Sequence, residues 1–356
     1  MFRPAVIAGS VTAVTTVGRL LAEGFSMALS HCARLVAIGD VHGASEVLLD
    51  ILCGLRLVNR RRKWIARNTH LVQIGDLFNR GGGARAAFEL LSDLERQAPA
   101  RQSRVTVLLG NHEVMTSLRN EAYCTVDEYL SFATEKQQRA WPSRVERAGR
   151  RIFQDHPRGG PVPPLHPRLA NWMAENVPGK LNLRRTLRPR GRIGRAIRNF
   201  PIAVFDKNCV FVHAPLTPRW ARLGVDGLND AAVVAWRKAP EFYGDLPPNE
   251  ILKDRNGPLW NRTLIEQDTA KTRRQLERAL SHIGARRMIV GHHFTGRIPG
   301  GTTGQIMLRH HGRLVCIDVG LGRVTPSPRT ALVIENGVGT EWTPAGTRVL
   351  WQDETG

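Results

Sequence analysis

The chain has 356 residues, 42% of them hydrophobic and 23% charged, a balance that builds a sizeable core and excludes wholesale disorder. Its 51 basic against 31 acidic residues give a formal charge of +20, a surface that attracts anions. The arginines are spread along the chain without an aromatic-interleaved motif, so specific nucleic-acid binding is not expected.

Residues 1–32 read as an N-terminal extension with little structure. The stretch from Ala5 to Val17 approaches the length of a signal-peptide apolar region, but Ser, Thr and Gly dilute it and Arg19 and Glu23 follow. A weak signal or a true start at Met27 are the alternatives. This stretch is too short and too polar to span a bilayer, and no other segment approaches a transmembrane length. Five cysteines (Cys32, Cys53, Cys124, Cys209, Cys316) form no CxxC pair and are odd in number, which suggests neither a disulfide framework nor a zinc knuckle. A reducing, cytoplasmic location is the expectation.

From Arg34 onward the pattern becomes regular. The β-branched runs RLVAIGD, HLVQIGD, RVTVLLGN, NCVFVHA, RMIVGHH, RLVCIDVG and TALVIENG alternate with helical or polar stretches, the signature of an α/β protein with buried strands. Between residues 123 and 200 the chain turns helical, with a Pro-rich loop HPRGGPVPPLHP and the arginine run RRTLRPRGRIGRAIR. This part reads as an insertion capping the site, its arginines forming a solvated face or a patch that steers phosphorylated substrates. A catalytic domain over 33–345 and a C-terminal tail over 346–356 complete the expected organisation.

Each of the first five runs ends in Asp, Asn or His, and in open α/β sheets ligands bind where the carboxyl ends of strands converge. In GDVHG, Asp40 and His42 stand two apart, so on an extended backbone both side chains project to one face. GDLFNRGGG then adds Asp76, GNHE adds Asn111, His112 and Glu113, FVHAP adds His213, and GHH adds His292 and His293. Hard oxygens and imidazoles in that recurring context point to divalent metal.

In this order the blocks resemble the calcineurin-like metallophosphoesterases, over residues 34 to about 340. LGNHEVM, GPLWNR and GH…IDVG are most similar to the bacterial phosphoprotein-phosphatase relatives called Shewanella-like protein phosphatases. The resemblance implies a four-layer α/β sandwich, two mixed sheets flanked by helices, carrying two divalent ions, manganese first with iron or zinc also suited. It assigns Asp40 and His42 to one ion, Asp76 to both, and Asn111, His213 and His292 to the second. His293 stands where the family commonly has Thr, and no role follows for it.

Two ions offset by two aspartates leave a net positive site that draws in phosphate, and the implied reaction is attack by a hydroxide bridging the ions. If Asn111 binds metal on an extended turn, its neighbour His112 faces the other way and is free to act as general acid. Arg80 is expected to clamp phosphate oxygens together with Asn111, and Arg262 is a second clamp. Related phosphatases have Asp-Arg-Gly where this chain has Asn79-Arg80-Gly81. Asn79 can accept a hydrogen bond from His112 but supplies no charge, so His112 should be less basic. The function expected is hydrolysis of phosphomonoesters, on a phosphorylated protein or a small phosphoester. The alternatives are a dinucleoside polyphosphate hydrolase or phosphodiesterase and, from another class, a basic binding protein with a degenerate site.

Overall fold

A computed structural model describes residues 32–154 and 167–353. The expected N-terminal extension and most of the Pro-rich loop lie outside them. Among the described residues eleven strands form two mixed sheets flanked by helices. The first sheet has the order β11-β10-β9-β1-β2-β3, with β1 (Arg34–Ile38), β2 (Thr69–Gln73) and β3 (Arg104–Val107) mutually parallel. The strands β9 (Ala331–Glu335), β10 (Val338–Thr343) and β11 (Gly346–Gln352) continue it antiparallel. The second sheet has the order β4-β5-β6-β8-β7. Here β5 (Cys209–Val212), β6 (Arg287–Val290) and β8 (Leu314–Cys316) are parallel, between antiparallel edges β4 (Ala203–Asp206) and β7 (Met307–Arg309).

The parallel strands are apolar almost throughout because helices and the facing sheet cover both sides. All seven runs picked out of the sequence are strands. Helix α1 (Ser45–Gly54) and helix α2 (Ala84–Gln97) pack on the first sheet; in α2 the buried positions Ala84, Ala87, Phe88, Leu91 and Leu94 follow helical spacing. A buried contact joins the sheets: His70 Nδ1 of β2 stands 2.7 Å from Asp206 Oδ2 of β4, and Arg104 of β3 approaches the same oxygen at 3.1 Å.

The helices α3 (Asn111–Ser117), α4 (Val126–Ser131), α5 (Glu135–Gln154), α6 (Pro167–Asn176), α7 (Lys180–Leu187) and α8 (Arg192–Ile197) then lead to β4. Among the described residues no helix is long and apolar enough to cross a membrane.

The tail expected over 346–356 is corrected as far as Gln352. That segment is strand β11, paired with β10 along its length. Its side chains are mostly exposed, so edge pairing of the backbone, rather than an apolar alternation, defines it. Trp351 covers Gly339, where a Cβ would come within 2.2 Å of the indole, and Arg287 lies 4.7 Å from the Trp351 ring centre while pairing with Asp353 at 2.8 Å.

Candidate metal centre

Six parallel strands aim their carboxyl ends at one place. From the first sheet come Asp40 and His42 after β1, Asp76 after β2, and Asn111 and His112 after β3. From the second come His213 after β5, His292 after β6, and Asp318 after β8. All eight are buried.

The loops are held in conformations that side chains seldom adopt. His42, Asp76, Asn79, Arg80 and His292 all have φ between 45° and 70°, a concentration of left-handed residues that marks functional loops. Two expectations change here. His42 is brought beside Asp40 by a left-handed turn, not by an extended strand. Asn111 and His112 open helix α3, so their side chains diverge by helical rotation and not by extended alternation. His42 Nε2 still ends 3.7 Å from Asp40 Oδ2 and 3.6 Å from Asp76 Oδ2.

Glu113 fixes this frame. Its carboxylate accepts from the backbone N–H groups of Asp76 (2.8 Å), Leu77 (2.7 Å), Phe78 (3.2 Å) and Gly110 (2.9 Å). Charge-assisted bonds of this kind are strong enough to hold a loop in strained backbone geometry. Two glycines give the carboxylates room: a Cβ on Gly110 would lie 2.3 Å from Asp76 Oδ1, and one on Gly291 would lie 2.2 Å from Asp40 Oδ1.

The donor set fits divalent cations. Imidazole Nδ1 of His42 donates to the Phe78 carbonyl (3.1 Å), and Nδ1 of His213 donates to the Ile74 carbonyl (2.9 Å). A neutral histidine so held has its other nitrogen bare, and a backbone carbonyl behind the ring is the usual way a metal-binding tautomer is set. Bare Nε2 of His213 stands 2.9 Å from Asn111 Oδ1 and 3.5 Å from Asp76 Oδ1; these are acceptors facing acceptors, which a cation reconciles. Asp76 Oδ2 is buried without a hydrogen-bond partner. Ligand atoms of His42, Asp76 and His112 lie within 4.8 Å of one another, as do those of Asp76, His213 and His292. Asp76 is common to both groups.

Burial sets the charge states. It raises the Asp40 and Asp76 carboxyls, Asp76 well above the usual range with Glu113 adding to the effect, and it pushes His42 and His292 well below the usual imidazole value. His112 is pushed down to about 2 by burial and then by nearby Arg80. Ions bound among these groups would remove the main obstacle to ionising the acids.

Around the centre, His112 Nδ1 stands 2.8 Å from Asn79 Oδ1 and its Nε2 stands 3.8 Å from Asp76 Oδ2. Arg80 is exposed and lies 4.9 Å from the ring centre of Tyr123. Arg262 donates from Nε to His292 Nε2 at 3.2 Å. His293 is partly exposed, 3.7 Å from Glu266, and burial followed by Arg262 lowers it to about 4.

Three side chains escaped the sequence reading. Arg323 Nη2 donates to His42 Nε2 (2.9 Å) and contacts Asp40 (3.4 Å) and Asp318 (3.2 Å). Burial, then Asp40, raises Asp318 to about 8. Its signal was present, since RLVCIDVG ends a strand in Asp like the blocks before it. Glu128, first turn of α4, is fully buried against Asn79.

Residues 33–178 match the family described as calcineurin-like phosphoesterase. That stretch resembles a calcineurin-like phosphoesterase domain. It is 27% identical over 263 residues to Shewanella-like protein phosphatase 2 of Arabidopsis thaliana, covering 73% of this chain and 66% of that protein. It is 26% identical over 310 residues to an uncharacterised protein of Schizosaccharomyces pombe, covering 84% and 76%. The solved cold-active protein-tyrosine phosphatase of a psychrophilic Shewanella shares the fold, with a TM-score of 0.64, 19% identity and coverage of 90% of this chain and 80% of that one. The buried acids and imidazoles thus stand at the strand ends of a fold shared with that phosphatase.

Proposed function

We propose that this chain is a two-metal phosphatase acting on phosphomonoesters, with phosphorylated proteins as its substrates. The observation that carries the reading is the unprotonated His213 Nε2 facing the Asn111 and Asp76 oxygens, together with the unpartnered Asp76 Oδ2, at the convergence of the parallel strands. Asp40 and His42 would hold one ion, Asp76 would serve both, and Asn111, His213 and His292 would hold the second. When bound, the ions would acidify water and stabilise charge growing on the phosphoryl oxygens. Manganese is the first ion to test, since mixed nitrogen and oxygen donors also suit iron and zinc.

The side chains divide the remaining work. Arg80 and Arg262 reach the rim from different elements and would grip the phosphate dianion. His112 would protonate the departing oxygen. Burial and then Arg80 lower its pKa, and a phosphate dianion bound beside the ring would oppose that shift and favour the protonated form. Protein substrates are favoured over dinucleotides because the relatives with an assigned activity are protein phosphatases and the chain's +20 charge suits acidic, phosphorylated surfaces.

The test is a panel on metal-reconstituted protein: phosphoserine, phosphothreonine and phosphotyrosine peptides, dinucleoside polyphosphates and an aryl phosphate. Metal-dependent release of phosphate from peptides with the highest kcat/KM is expected. Preference for dinucleotides would move the chain to the alternative activity, and no turnover at full metal loading would leave a binding protein.

A further inference from the structure

The side chain facing His112 Nδ1 is a neutral amide, Asn79 Oδ1 at 2.8 Å, so the candidate general acid has no carboxylate as its immediate neighbour there. The structure contains a carboxylate one step further out. Glu128 sits in the first turn of α4, in the segment following the strand ends, and is completely buried. Its partners account for both oxygens: Oε1 accepts the Asn79 backbone N–H at 2.9 Å and Oε2 accepts Asn79 Nδ2 at 3.3 Å. No lysine or arginine among the described residues forms an ion pair with it. Thr125 precedes it as the helix cap, its hydroxyl accepting the Glu128 N–H. The pattern Thr-x-x-Glu would ordinarily fold the glutamate back onto the cap; here its carboxylate goes to Asn79.

The hydrogen-bond inventory sets the orientation of Asn79. With Glu128 ionised both of its oxygens accept, and the amide nitrogen of Asn79 then faces it. The amide oxygen is then turned the opposite way, where it accepts from Thr116 Oγ1 (3.0 Å) and stands 2.8 Å from His112 Nδ1. An acceptor at that place requires His112 to carry its proton on Nδ1. Nε2, the nitrogen facing Asp76, is left available to the reacting group.

We infer that Glu128 is a positioning residue for His112, orienting the Asn79 amide so that His112 keeps the Nδ1–H tautomer with Nε2 toward the reaction centre. Asn79 thus links His112 to a carboxyl group that stands one hydrogen bond further out. The kinetic part of this inference rests on the phosphatase reading; the tautomer does not.

The replacement Glu128→Gln is informative because a carboxamide has only one acceptor oxygen. If that oxygen satisfies the Asn79 backbone N–H, the new NH2 faces Asn79 Nδ2, and two donors meet. Flipping Asn79 relieves the conflict and presents an NH2 to His112 Nδ1, which must then accept. The predicted result is a tautomer change. A second variant, Asn79→Asp combined with Glu128→Gln, puts the carboxylate beside His112 with a donor behind it, and should restore Nδ1–H.

The experiment uses full-length, metal-free protein with 15N-labelled histidine, the His112 ring nitrogens being assigned by their loss in His112→Asn. Nitrogen shifts and ring-proton couplings distinguish the tautomers. Wild type and the double variant should show Nδ1–H, and Glu128→Gln should show Nε2–H. On metal-reconstituted protein, Glu128→Gln should lower kcat on a phosphoserine peptide by about 10- to 100-fold, a partial loss of the roughly 10²- to 10⁴-fold that general-acid catalysis contributes. KM and turnover of an activated aryl phosphate should change little, and the double variant should recover most of the lost kcat. An unchanged tautomer in Glu128→Gln, or failure of the double variant to restore Nδ1–H, overturns the inference. If Glu128→Gln does not fold, the double variant decides alone: Nδ1–H with kcat near wild type supports the inference, and Nε2–H opposes it. A wild type inactive on every phosphoester would instead refute the phosphatase reading and leave the tautomer result standing.

Discussion

Asn79→Asp places a carboxylate directly beside His112, yet the structure predicts that it destabilises the protein as pH rises. The Asn79 amide nitrogen lies 3.3 Å from Glu128 Oε2, so an aspartate there places a second buried carboxylate against the first. Two unit charges at that distance repel by about 5 kcal/mol at an effective dielectric of about 20, roughly 3.7 pKa units. Burial has already raised Glu128 to about 7 from its usual 4.5. The sign follows from linkage: a folded-state pKa raised above the unfolded value gives stability that is present below the unfolded pKa and is lost as pH rises through the folded one. In the wild type that loss is complete near pH 7. In the variant the cluster of residues 79, 112 and 128 retains one more proton than the unfolded chain well above pH 7, wherever in the cluster it sits. Stability should then keep falling by about 1.4 kcal/mol per pH unit, opening a gap of about 3 kcal/mol to wild type between pH 7 and 9. Urea unfolding of both metal-free proteins at pH 7, 8 and 9 measures it. Parallel curves would refute the placement of residue 79 against Glu128.

Other expectations rest on the same geometry. Glu113→Gln removes an acceptor from a carboxylate serving four backbone donors and should cost about 3 kcal/mol in urea unfolding, with weakened metal binding because the Asp76 loop is released. Gly291→Ala drives a Cβ to within 2.2 Å of Asp40 Oδ1; metal competition titrations should show one ion bound at least about tenfold more weakly, as for other disturbed ligand supports. Arg80→Lys keeps a charge but loses the planar fork, so kcat/KM on phosphopeptides should fall, while a value equal to wild type would remove Arg80 from phosphate binding.

Much of this arrangement was legible in the sequence because parallel strands buried on both faces read as continuous apolar runs, and their carboxyl ends mark where the chemistry converges. Asp40, Asp76 and His213 could be located from that pattern alone. The edge strands β4, β7 and β11 could not, since they are short or largely exposed and are defined by backbone pairing, and β10, between β11 and β9, carries only a partly buried pattern. The side chains that complete the centre were hidden for a different reason. Arg323 lies in a loop and reaches Asp40 only through the fold, 283 positions away in sequence. Glu128 lies in a helical stretch whose local pattern reads as an ordinary helix start, and only the tertiary structure sets it behind Asn79. Local geometry was also misjudged at His42 and His112, because a left-handed turn and a helix start can deliver side chains to the same point as an extended strand.

In the proposed centre Asp76 would serve two ions whose joint presence makes the chain a phosphatase. Equilibrium dialysis with manganese, read together with phosphopeptide turnover on the same samples, tests it directly in wild type and Asp76→Asn. The wild type should bind two ions per chain with activity rising as the second is loaded, and Asp76→Asn should lose stoichiometry and activity together. Full activity in Asp76→Asn with two ions still bound, or a wild type saturated with two ions that releases no phosphate, would contradict the account.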